Sequence, residues 1–179
     1  GEQRDLRDVV SQDAEISIFT IDSDEGLQIM RHTVAAQVLA RARKNWYPKA
    51  KLAIGPTIEN GFYYDFLSYE RVSVDDLPKI EKEMERIVAE KSDITKTIHS
   101  KEEAIKNFAN IKEDYKVKII EDSEQENNFQ LYNQGDTGFI DLCRGPHLPS
   151  LEKVGAFKLT KIAGAYWKGD SQNEMLSRI

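Results

Sequence analysis

With 179 residues, 40% of them hydrophobic, the chain can bury a sizeable core, and its length suits one domain with a fragment of a second. A formal charge of −6 works against a self-sufficient nucleic-acid binder, because phosphate contacts need a basic surface; any RNA contact is expected to be local or shared with other protein. No apolar run reaches membrane-spanning length, nothing at the start reads as a signal peptide, and a single cysteine cannot form an internal disulfide, so a cytoplasmic setting is expected.

Residues 1–21 hold a short amphipathic piece, Asp5 to Val10, and an alternating stretch, Glu15 to Thr20, that suggests a strand. Together they are too little for a core and read as the end of a preceding domain plus a linker, with the main domain at 22–179. Asp22 and Glu25 suggest an N-terminal cap, and a long helix is expected from Asp24 to about Tyr47, stopped by Pro48. Leu27, Val34, Ala35, Val38, Leu39, Ala42 and Trp46 form its apolar face, and His32 falls about 20° beyond Leu39, at the edge of that face. A histidine there fits the rim of a core as well as a cleft.

A short strand (Leu52 to Ile54), Gly55-Pro56 and Asn60-Gly61 predict a hairpin whose second strand runs through Phe62 to Phe66, with Tyr63 and Tyr64 on opposite faces. Ser73 is expected to cap a helix striped by Leu77, Ile80, Met84, Ile87 and Val88. Ile94 to Ile98 predicts a strand, Ser100 to Glu103 a capping box opening a helix to about Phe108, and 122–128 a surface loop. From Phe129 onward strands are expected at 129–132, 139–142 and 157–162, with Gly164 to Trp167 closing the sheet. Helices early and strands late predict an α+β fold, an antiparallel sheet packed with a long helix and shorter helices.

The least filler-like stretch is Phe139 to His147, FIDLCRGPH. It sets Cys143 and His147 four residues apart across Arg144-Gly145-Pro146, where a strand must end and a loop begin. Taken alone, a lone cysteine is usually a buried small hydrophobe, and Cys-x3-His is half of a tetrahedral metal site.

Four stretches together, Arg31-His32, LAIGPTIENGFYYDF at 52–66, DLCRGPH at 141–147 and KLTKIAGAYWKGD at 158–170, closely resemble the threonyl-tRNA synthetase family. The resemblance covers nearly the whole chain and maps to the editing part of those enzymes: residues 1–21 resemble the tail of a small ubiquitin-like N-terminal domain, and 22–179 the editing domain. It implies a fragment that does not charge tRNA and instead hydrolyses the ester of serine mischarged on threonine tRNA. Threonine is refused by size, a second sieve needed because one methyl group is worth only ~1–3 kcal/mol in discrimination. The implied partners are the seryl 3′ end of that tRNA and the rest of the synthetase. The resemblance places His32, Cys143, His147, Lys116 and Asp141 in one cleft: His32 for water activation or ester orientation, Lys116 for charge stabilisation, Asp141 for the serine ammonium or hydroxyl. Tyr64 is expected near the terminal adenosine, and Gly55 to permit close backbone approach.

One departure stands out. Related helices carry His-x3-His, but here Ala36 stands four residues after His32, and the following residues match the family if one residue is inserted and Gln37 takes the second histidine's slot. A regular helix would put Gln37 about 140° from His32, so a π-bulge is expected to absorb the insertion and bring the two together. In the related alanyl-tRNA synthetase editing domains the two-histidine, Cys-x3-His set binds zinc. With glutamine a poor ligand, zinc at His32, Cys143 and His147 is possible but not expected, and no cofactor is assigned. Two other readings are a non-catalytic module docking the acceptor end and a metal-stabilised structural domain.

Overall fold

A computed structural model describes all 179 residues. Its helices are α1 (Asp24–Thr33), α2 (Ala40–Trp46), α3 (Leu77–Ala89), α4 (Lys101–Asn110) and α5 (Asp114–Glu121). The strands are β1 (Lys51–Leu52), β2 (Thr57–Ile58), β3 (Gly61–Phe62), β4 (Asp65–Leu67), β5 (Ile94–His99), β6 (Phe129–Gln134), β7 (Ile140–Leu142), β8 (Ala163–Tyr166) and β9 (Met175–Arg178). All pairings between strands are antiparallel, as an α+β fold predicts, but they form three sheets rather than one: β1-β4-β9-β8, the hairpin β2-β3, and β5-β6-β7.

The long helix forms as expected, with Ser23 rather than Asp22 as its cap: the Ser23 hydroxyl accepts from Gly26 N–H at 3.0 Å, and Asp24 and Glu25 place negative charge at the positive end of the helix. Between α1 and α2 lies a π turn, Val34–Leu39, every residue of which is buried. It is the axis of the largest core cluster. Val34, Val38, Leu39 and Ala42 meet Leu77, Ile80, Met84 and Ile87 of α3 and Leu52, Tyr64 and Phe66 of the β1-β4 region. A second cluster joins Ala104 and Phe108 of α4 to Ile120 of α5 and to Phe129 and Leu131 of β6.

The capping boxes at Ser73 and Ser100 form, each serine oxygen meeting the start of its helix while Asp76 or Glu103 bonds back to the cap. The hairpin turns on Glu59-Asn60, so Ile58 pairs with Gly61 and the turn lies one residue earlier than Asn-Gly implies. Two expected strands do not form. Glu15 to Thr20 has no pairing partner and is exposed. At 157–162, Leu159 turns into the core and its N–H is taken by the Glu81 carboxylate at 2.9 Å instead of a neighbouring strand. No helix is long and apolar enough to cross a membrane.

Candidate active site

A cleft of about 330 Å³ opens between the α1 end of the long helix, the chain at 54–56 and β7. His32 and Ala36 line it from the helix, Ile54, Gly55, Pro56 and Tyr64 from the hairpin side, Lys116 from α5, and Asp141, Leu142 and Cys143 from β7 and its exit. Six of the eight residues singled out in the sequence therefore share one wall. The other two, His147 and Gln37, do not reach it.

Asp141 is 2% exposed and its carboxylate is held by three donors: Lys116 Nζ at 2.9 Å, the Tyr64 hydroxyl at 3.1 Å and the Leu142 N–H at 2.9 Å. A carboxylate offers about four acceptor positions, so one remains for a substrate donor. Lys116, also buried, gives one N–H to Asp141 and has two left, its ammonium 5.5 Å from the centre of the Tyr64 ring. Burial, then the charge of Asp141, push the Tyr64 hydroxyl well above its usual range, so it remains a donor. Tyr64 is the inner wall of the cleft rather than a rim residue: it is fully buried, and a Cβ at Gly55 would meet its ring at 2.1 Å. Gly55 serves that packing.

His32 Nε2 lies 2.8 Å from Cys143 Sγ. Burial lifts the Cys143 thiol to about 12, so the sulfur carries its proton at neutral pH and donates to the ring, while Gly145 N–H donates to the sulfur at 3.2 Å. Burial also lowers the His32 pKa, partly opposed by the charge of Asp141 and a bond to the Gly55 backbone. His32 is thus neutral at pH 7.

His147 stands behind His32, the two rings stacked at 4.6 Å with 5° between planes, and Tyr132 packs edge-on against it at 4.5 Å. Thr33, which no sequence motif marks, orients it. The Thr33 hydroxyl donates to Ile29 C=O at 2.8 Å, so the 3.0 Å contact with His147 Nδ1 is a ring N–H donated to Thr33 Oγ1, which also accepts from Leu148 N–H at 3.0 Å. That leaves His147 Nε2 unprotonated, buried and without a hydrogen-bond partner. Burial and the neighbouring His32 hold its pKa well below the ordinary range.

The expected bulge forms, but it does not carry Gln37 into the cleft. A π turn advances roughly 80° per residue instead of 100°, which sets Ala36 almost directly beneath His32 and Gln37 roughly 80° further round. Gln37 accepts instead from Gln134 Nε2, at its backbone oxygen (3.0 Å) and its side-chain oxygen (3.3 Å). Ala36, and not Gln37, therefore faces the cleft beside His32, with only a methyl group.

One donor atom each from His32, Cys143 and His147 lies within 4.8 Å of the others, and the orphaned His147 Nε2 is the kind of atom a zinc ion would use. The three are close enough to hold a metal ion with water in the fourth position, but to do so His32 Nε2 and Cys143 Sγ, now in hydrogen-bond contact, would have to part to about 3.5 Å and the thiol would have to give up its proton. The purified chain dialysed after zinc addition is expected to retain well under one zinc per molecule by elemental analysis, with a thermal midpoint indifferent to chelator. Stoichiometric zinc that survives dialysis would overturn this.

The family described as threonyl and alanyl tRNA synthetase second additional domain matches residues 130–179, which carry β6, β7 and the Cys143 to His147 loop. Threonine–tRNA ligase of Clostridium novyi (strain NT) is 49% identical over 179 residues, all of this chain and 28% of that protein. The ligase of Francisella philomiragia is 50% identical over 175 residues (98% of this chain, 27% of that protein), and that of Marinobacter nauticus 48% over 180 (100% and 28%). Across its whole length the chain is thus similar to bacterial threonine–tRNA ligases, matching a segment of just over a quarter of theirs.

Proposed function

We propose that this cleft hydrolyses the ester joining serine to the 3′-terminal adenosine of threonine tRNA, as a proofreading site within a synthetase. The observation that carries the reading is the buried Lys116–Asp141 pair opening on the same small cleft as a neutral His32. An ester hydrolase needs an acceptor for a water proton, a cation or donors for the developing oxyanion, and a group to hold the substrate ammonium. His32 offers the first once Cys143 rotates its S–H away from Nε2; the two free N–H groups of Lys116 offer the second; the one open acceptor position on Asp141 offers the third. His147 acts by holding the His32 ring. Tyr64 and Gly55 shape the inner wall, where a serine side chain has room and an added methyl displaces the water.

The testing experiment is a calorimetric titration of the 179-residue chain with non-hydrolysable seryl and threonyl 3′-amino-adenosine. Binding of the seryl form at least about tenfold tighter than the threonyl form is expected, in line with what one methyl contributes. Equal affinities, or no binding of either, would remove the sieve.

A further inference from the structure

Residues 1–10 contain no helix or strand, and their apolar side chains do little to hold them: Leu6 and Val9 are 73% and 82% exposed. What fixes the segment is polar and specific. Arg7 donates to the Ile94 and Pro149 carbonyls, both at 2.9 Å, pinning it across the start of β5 and the chain just after His147. Asp5, its side chain only 12% exposed, accepts from His147 N–H at 2.9 Å, the Tyr132 hydroxyl at 2.7 Å and Lys96 Nζ at 3.2 Å. Asp8 takes a second N–H of Lys96 at 2.6 Å, so Lys96 balances two carboxylates.

These contacts converge on one imidazole. Asp5 holds the backbone of His147 through one carboxylate oxygen and, through the other, the ring that packs edge-on against the His147 side chain. The same Tyr132 hydroxyl lies where a Cβ at Gly145 would sit, 2.0 Å away, at a residue with φ of +66°. The loop from Cys143 to His147 thus closes only with glycine there and with Tyr132 anchored. Since His147 stacks on His32, Asp5, 142 residues upstream of His147, bears through it on the orientation of the cleft histidine.

We propose that Asp5 is a positioning residue of the active site, and that the segment 1–10 is a strap locking the Cys143–His147 loop from behind. The catalytic part of this statement rests on the proposed hydrolysis; the positioning part does not.

The test uses the 179-residue chain with Asp5→Ala, Asp5→Asn and Tyr132→Phe, read by NMR of the His147 amide and the imidazoles of His32 and His147 and, separately, by kcat and KM on a seryl ester of adenosine. Asp5→Asn keeps an acceptor for His147 N–H and can donate to the Tyr132 oxygen, so it is expected to retain the wild-type ring signals and most of kcat. Asp5→Ala is expected to shift both imidazoles and lower kcat on the order of tenfold with KM within about twofold, as misplacement of a reacting group does. Tyr132→Phe, which keeps the His147 N–H bond, should shift the His147 ring while leaving its amide in place, and covers the case in which Asp5→Ala does not fold. Unchanged ring signals in Asp5→Ala, or in Tyr132→Phe should that be the only folded variant, would overturn the proposal. Absence of hydrolysis by the unmodified chain would sink the proposed function, with the NMR result still deciding the role of Asp5.

Discussion

Lys116→Ala is expected to destabilise the fold by about 3–5 kcal/mol and to abolish ester hydrolysis in the same step. Lys116 and Asp141 meet at 2.9 Å with almost no solvent on either side. Each charge is tolerable there only because the other is present, and removing one leaves the second desolvated and uncompensated. The two remaining donors to Asp141, the Tyr64 hydroxyl and the Leu142 N–H, carry no charge and cannot make up the difference. Structural and catalytic effects separate in the paired variant Lys116→Met with Asp141→Asn. It removes both charges, fills the space and keeps polar partners for Tyr64 and Leu142, so it should recover to within about 1–2 kcal/mol of the parent chain. It should recover no turnover, because neither the cation nor the anion that faces the ester is restored. Urea unfolding midpoints measure the first effect and single-turnover deacylation the second. A Lys116→Ala midpoint equal to that of the parent chain would mean that the pair is solvated and not the buried element described here.

How much of this was legible in the sequence follows from the range of the interactions. Local signals held, the Ser73 and Ser100 caps and the stripe of α3, and so did the π turn expected from the resemblance. Helix α5 was missed because Val117-Lys118-Ile119-Ile120 is rich in β-branched residues and its N-cap, Glu113, makes no side-chain cap bond. Strand β9 was missed because nothing in Met175 to Arg178 announces a partner; it lies between β8 and β4, and on the β4 side Asp65 accepts from Nε and Nη2 of Arg178, each at 2.8 Å, across 113 residues. The site divides the same way. Residue types with scarce chemistry, His32, Asp141, Cys143 and His147, could be picked out and do assemble, whereas Thr33, Tyr132 and Asp5 are ordinary residues whose roles exist only through contacts more than a hundred residues long. Gln37 shows the limit of register arguments. The bulge could be foreseen, but which residue it would turn into the cleft depended on how far each residue of a π turn rotates, and that placed Ala36 there.

The burial of this cluster also predicts the shape of the stability profile with pH. His32 and His147 both have pKa values lowered in the fold, by burial above all, and in His147 also by the adjacent His32. In the unfolded chain each binds a proton near the ordinary value of about 6.5, which the native state does not. Below that pH the unfolded state binds more protons than the native state, so stability falls as pH falls, by up to about 1.4 kcal/mol per pH unit for each histidine, until the folded-state pKa is reached. Cys143 acts at the other end. Its thiol, raised from 9.0 to about 12, stays protonated in the fold while the unfolded thiol ionises, so its contribution is complete below about pH 8 and is lost as pH rises through 9 toward 12. The expected profile is therefore a plateau at about pH 7–8 with a fall on each side, measured as urea midpoints from pH 5 to 10. Cys143→Ala should flatten the alkaline limb and leave the acid limb in place, because the histidines owe their neutrality to burial and not to the thiol. A midpoint that does not move between pH 7 and 5 would show that the two imidazoles take up protons in the fold as readily as in the unfolded chain, so that burial does not hold the pair neutral and the stacked His32–His147 cluster is open to water below about pH 6.5.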